Sequence, residues 1–131
     1  MRWLIAPVML LAAAAAFFAQ TAPPNATGIS AGHIHIVAAD PAAYQKTIVS
    51  VLGGQPVNAG PLTMVKLPGI FFIMTAACRG GAPTGGTKGS VSDHMGFSVK
   101  SFAALKAKAM AAGLNVQEVT PNVQAFVTFP G

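Results

Sequence analysis

The chain has three histidines in its 131 residues, and all three lie in short apolar runs: His33 and His35 in "AGHIHIVAAD", His94 in "SDHMGFSV". A neutral imidazole offers one donor and one acceptor nitrogen, so it serves as a metal ligand or as a general base near neutral pH. His33 and His35 are two residues apart, a spacing that along a strand puts both side chains on one face. His35 is then either a third metal ligand, a base or donor beside a metal, or an ordinary lining residue hydrogen-bonded to a neighbour or water. The acids are Asp40, Asp93 and Glu118. Asp40 suits a helix N-cap. Asp93 precedes His94 and by strand alternation points to the opposite face, and Glu118 falls in a short strand with solvent as its expected neighbour.

The elements that must carry these residues follow from pattern. "GHIHIVAA" alternates around β-branched residues and reads as a strand. "DPAAYQKTIVSVLGG" reads as a helix, with Asp40 as N-cap, Pro41 in the first turn and Gly53-Gly54 as the stop. Tyr44, Ile48, Val51 and Leu52 form its apolar stripe, which makes Tyr44 a packing residue. "QPVNAG", "LTMVKL" and "IFFIMTA" are short strands separated by the turn dipeptides Gly60-Pro61 and Pro68-Gly69. "CRGGAPTGGTKGS" is a Gly-rich connector. It is not a phosphate loop, because Thr87 stands between Gly86 and Lys88 where that motif needs Lys directly after Gly. "SDHMGFSV" then reads as a strand, "KSFAALKAKAMAAG" as a helix closed by Gly113, and "NVQEV" and "VQAFVTF" as two more strands.

The N-terminus has its own character. Arg2 precedes an unbroken apolar run from Leu4 to Phe18, shorter than the roughly 20 residues that span a bilayer, and the loose stretch "QTAPPNATG" follows. Residues 1–22 therefore read as a signal peptide, with an uncleaved membrane anchor as the alternative, and residues 23–31 as a flexible leader. An exported protein, periplasmic or secreted, is expected. The eight basic and three acidic residues give a net charge of +5. Lys100, Lys106 and Lys108 cluster on or beside one helix without an Arg cluster or interleaved aromatics, so a solvated face is expected and no nucleic-acid partner. The single cysteine, Cys78, excludes an internal disulfide and reads as a partly buried thiol at a strand end.

"GHIHIVAADPAAYQKTIVSVLGGQPV" and "DHMGFSVKSFAALKAKAMAAGLNV" share strand, histidine, helix, glycine stop and next strand in the same order. The chain is thus an internal repeat, with His33 aligned to His94 and His35 to Gly96.

On "HIHIVAADPAAY" with "VLGG", "MVKLPGIFFIM" and "GGTKGSVSDHMGFSVKSFAALKAKAMAAGLNV", the chain resembles the vicinal oxygen chelate superfamily of glyoxalases, extradiol dioxygenases and bleomycin-resistance proteins. The resemblance implies an α+β fold of two βαβββ modules curled into a cup over residues 32–131. Module one would span 32–77, the linker 78–90 and module two 91–131. It also implies a divalent ion (Zn, Fe, Ni or Mn) held by His33 and His94, with His35 as the catalytic residue beside it, and a homodimer. The activity implied is that of a lyase, isomerase or dioxygenase acting on a small substrate with adjacent oxygens.

The sequence departs from that pattern in two places. "GIFFIMTA" holds no Glu, Gln, Asp or His where the family places a carboxylate or amide, and the second module lacks its final strand after "VTFPG". A metal-free binding protein of the bleomycin-resistance type and a truncated inactive member are the alternative expectations.

Overall fold

The computed structural model describes residues 23–78, 81–82 and 85–130. The expected leader at residues 1–22 lies outside them. No helix among the described residues is long and apolar enough to cross a membrane. Within residues 23–31, read above as flexible, Asn25 organises a turn: its Oδ1 accepts from Thr27 N at 3.0 Å, Thr27 Oγ1 at 2.7 Å and Ile29 N at 3.0 Å.

The first half folds as expected from its pattern. Strand β1 (His33–Val37) leads into helix α1 (Pro41–Leu52), followed by β2 (Gln55–Ala59), β3 (Leu62–Leu67) and β4 (Ile70–Thr75). Asp40 caps α1, its Oδ1 accepting from Ala42 N and Ala43 N at 3.0 Å each, which satisfies two of the donors that a helix start leaves unpaired. Gly53 ends the helix in the left-handed region at φ 73°, where a side chain would be strained. The sheet order is β1-β4-β3-β2. Strands β2, β3 and β4 form an antiparallel meander, and the last of them returns parallel to β1, pairing His33 with Phe71 and His35 with Ile73.

Strand alternation gives this sheet two unlike faces. Val65 and Leu67 of β3 and Phe72 and Met74 of β4 pack on Ile48 of α1 to form the buried core, with Ile34 and Ile36 of β1 and Tyr44 of α1 against it. Tyr44 is thus the packing residue its helical spacing indicated, and burial raises its phenol pKa above the ordinary value. The opposite, helix-free face carries His33 and His35 beside Phe71 and Ile73.

The second half departs from expectation. Helix α2 (Phe102–Ala111) and the antiparallel pair β5 (Asn115–Thr120) and β6 (Gln124–Thr128) form where the sequence places them. The segment around His94, expected as a strand, is not one: residues 93–99 belong to no sheet, and among the described residues the backbone of Met95 to Val99 makes no hydrogen bond. The first half supplies the reason. There β1 is held only by β4, the third strand of the meander; the second half has β5 and β6 but, among the described residues, no third strand in the place of β4 to hold the segment. Alternation alone does not make a strand without a partner edge. The fold is therefore mixed α+β, a four-stranded mixed sheet with a helix on one face beside a two-stranded sheet with its own helix.

The halves meet where helices α1 and α2 approach each other and through two aromatic contacts. Phe97 meets the core residue Phe72 edge-on at 6.1 Å between ring centroids, and Phe129 meets Tyr44 at 5.9 Å. Lys106 of α2 and Glu118 of β5 form an ion pair, and Glu118 also accepts from Asn122 N at 2.8 Å. Glu118 is thus a cross-link between helix, strand and turn, not the solvated side chain expected; the Lys106 ammonium and then the Asn122 N–H hold its carboxyl below the usual range.

Candidate functional site

His33 and His35 stand side by side on the helix-free face. Their rings are 5.1 Å apart between centroids and nearly perpendicular, at 74°, and both residues are exposed. Strand β1 positions them: it is an edge strand, so its side chains are flanked by a neighbour on one side only, the β4 residues Phe71 and Ile73. Phe71 in turn lies under the Lys66 ammonium, 5.8 Å from the ring centroid. The face thus combines two imidazoles, an apolar floor and one cation. Near its far end Thr75 Oγ1 is buried without a hydrogen-bond partner.

His94 lies in different surroundings. Its Nδ1 is 3.0 Å from Asp93 Oδ1, and its ring meets Phe126 of β6 edge-on at 5.3 Å. Asp93 does not point away from His94, as strand alternation implied, because residues 93–99 are not strand and adjacent side chains are free to converge. A carboxylate beside Nδ1 accepts a hydrogen bond from the tautomer protonated there, in which Nε2 is the acceptor. The Asp93 carboxylate also accepts from Gly89 N, and Thr87 Oγ1 donates to the Asp93 carbonyl at 2.6 Å. Asp93 therefore organises the 87–93 loop and orients the His94 ring.

These contacts give Asp93 a pH signature. The Gly89 N–H foremost, and then His94, hold its carboxyl below the ordinary value of 3.8. A lowered native pKa means that the contribution of Asp93 is present above the unfolded value and is lost as pH falls through the native one. In an NMR acid titration the Gly89 amide and His94 ring signals are expected to move together, with a midpoint below 3.8, and Asp93→Asn should remove the transition. A shared midpoint at or above the ordinary value would contradict this role.

The ligand set implied by the resemblance is not assembled. His33 and His35 are together, but His94 is not with them, and among the described residues no group of three or more His, Cys, Asp or Glu side chains is placed to hold a metal ion. The three histidines as arranged do not fit one catalytic centre, and no reaction step is assigned through it. Cys78 takes no part either. It is exposed rather than partly buried, because β4 ends at Thr75 and the chain turns outward, with reciprocal backbone hydrogen bonds between Cys78 and Gly81 of 3.1 and 2.8 Å.

A recess lies between the unpaired segment and the small sheet. It is lined by Phe97 and Val99, by Phe102 and Leu105 of α2, and by Val116 and Val127. It is apolar, and its one charged lining side chain, Lys106, is already paired with Glu118. It carries no group suited to chemistry. Comparison with protein-family models, with curated proteins and with solved structures finds no match to this chain.

Proposed function

We propose that the chain is an exported, glyoxalase-like binding protein of the vicinal oxygen chelate type. It takes a small oxygen-bearing molecule on the helix-free face of its four-stranded sheet. One observation carries the reading: a strand bearing two exposed histidines lies parallel to the last strand of a three-stranded meander, so that imidazoles, Phe71 and the Lys66 cation share one face. Such a face offers hydrogen-bond donors and acceptors to oxygens and an apolar floor to a carbon skeleton, the mixture that small-molecule sites use. A second copy facing it would close the cup, which is the homodimer the resemblance implies. Binding is favoured over turnover because no acidic side chain accompanies the histidines on this face. The second reading, a metal-dependent lyase, isomerase or dioxygenase with His33 and His94 as ligands and His35 as catalytic residue, draws on the alignment of His33 with His94 in the sequence repeat.

The test is a panel of small hydroxy acids, catechols and aromatic acids, screened by thermal shift and NMR with chelator present and again with zinc chloride. A ligand at about 100 times its dissociation constant stabilises a fold by about 2.7 kcal/mol. At least one compound is expected to raise Tm by several degrees and to move the His33, His35 and Phe71 resonances. Stabilisation with shifts confined to other residues, or none at all across the panel, would refute the proposal.

A further inference from the structure

In the first half β4 lies between β1 and β3, parallel to the one and antiparallel to the other. The second half has counterparts of both neighbours. Residues 93–99 stand for β1, with His94 aligned to His33, and β6 stands for β3: "QAFVTFPG" matches "LTMVKLPG" in Phe126, Val127 and Phe129 against Met64, Val65 and Leu67 and in the closing Pro-Gly. Among the described residues neither of these two edges is paired. β6 pairs only with β5, and the backbone of Met95 to Val99 makes no hydrogen bond. The apolar recess is shared by the two, with Phe97 and Val99 from one, Ala125 and Val127 from the other, and Phe102 and Leu105 of α2. We infer that this place is a docking slot for an extended apolar segment of another polypeptide, which enters as a strand parallel to residues 93–99 and antiparallel to β6. It lies away from the helix-free face of the first sheet and does not depend on the function proposed for that face.

The first half shows what such a strand does. Ala38, at the position of Val99, is 1% exposed, whereas Val99 is 42% exposed; Ile36, at the position of Phe97, packs against the buried cluster that contains Phe72 and Met74 of β4. A strand in the slot would cover Phe97 and Val99 in the same way, its alternate side chains filling the recess against α2. It would also pair two rows of backbone groups at once, the mode by which a peptide strand adds to an open sheet edge. The occupant is therefore a segment of alternating large apolar and β-branched residues, as β4 is. This chain has no good substitute of its own. Each described strand is already paired, so a second copy could donate one only by unfolding its own sheet. The apolar run Leu4 to Phe18 is rich in alanine and poor in β-branched residues, a composition that disfavours a strand.

Amide hydrogen exchange, followed by NMR while the full chain is titrated with a synthetic peptide, tests this directly. The peptide carries the β4 sequence "IFFIMT" between glutamates that keep it soluble; the control peptide has proline at its third and fourth positions, which removes backbone donors and breaks the strand. Without peptide, the Met95–Val99 amides are expected to exchange freely at every protein concentration. With peptide at about 100 times its dissociation constant, alternate amides of this run and of β6 should slow by about a hundredfold, and the proline peptide should have no effect. Val99→Lys, which puts a charge on the recess wall, should weaken binding by about tenfold or more. Val119→Lys, at an exposed position outside the recess, should leave it unchanged. No slowing with the peptide, or slowing confined to other residues, would overturn the inference, and so would equal slowing by the proline peptide. Protection already present without peptide would also overturn it, showing the slot filled by this chain itself, or by a second copy where the protection grows with protein concentration.

Discussion

Truncating Phe72 to alanine is expected to cost about 3–5 kcal/mol, a large part of the roughly 5–15 kcal/mol that holds a domain together. Phe72 is 1% exposed, is the largest fully buried side chain among the described residues, and touches both the α1 core and Phe97 of the second half. Its removal opens a cavity in a core of few members, where Val65, Met74 and Ile48 are each fixed by the sheet or helix and cannot collapse far inward. Urea unfolding of Phe72→Ala beside Phe97→Ala checks this. Phe97 is 47% exposed, so its truncation should cost only about 1 kcal/mol by the scaling of stability with buried apolar area. Equal effects would show that the core is not centred where the structure puts it.

Gly54→Ala is the second large effect, expected to destabilise by about 1–3 kcal/mol through overpacking. Gly54 sits where the end of α1 comes down on β3. A methyl group there would overlap Val65 Cγ1 and press on Leu67 Cδ2 at 3.2 Å and Ile48 Cγ2 at 3.5 Å. All three neighbours are buried core side chains with no solvent to move into. The adjacent Gly53 is the natural control. It has open space around its Cα but a φ of 73°, so Gly53→Ala costs about 1–2 kcal/mol from backbone strain alone. Thermal unfolding of the two variants separates the causes, because Gly53→Asn, which tolerates the left-handed region, should recover part of the loss. No residue at Gly54 larger than glycine should do so, and stability retained in Gly54→Ala would contradict the close approach of α1 to β3.

What the sequence made legible was local. Asp40, Pro41 and Gly53 bound α1 because capping chemistry acts within a few residues, and Tyr44 was readable as packing from helical spacing. The common face of His33 and His35 followed from the two-residue period of a strand. What could not be read was non-local. "SDHMGFSV" alternates as well as β1 does, but a strand exists only with a partner edge, and the alternation of one segment carries no information about whether that edge is present. The convergence of Asp93 and His94 follows from that same lack of pairing. Glu118 faces Lys106 because β5 runs back along α2, a contact twelve residues away in sequence. Asn122, at φ 58° in the β5–β6 turn, is a local signal of that turn, since asparagine after proline suits a position that needs the left-handed region.

The unpaired run from Met95 to Val99 bears on how the molecule opens. Nearly all of the deeply buried apolar side chains belong to the first half, with Ala109 the one such residue described in the second. A free-energy ladder of partial unfolding should therefore have its lowest rung in residues 93–130 and its highest in β3 and β4. Amide protons of Met95 to Val99 would exchange with solvent in seconds while those of Val65 and Phe72 wait for global unfolding. A protease would find its first cut in the same run, parting the first half, with all three histidines, from the piece that carries α2, β5 and β6.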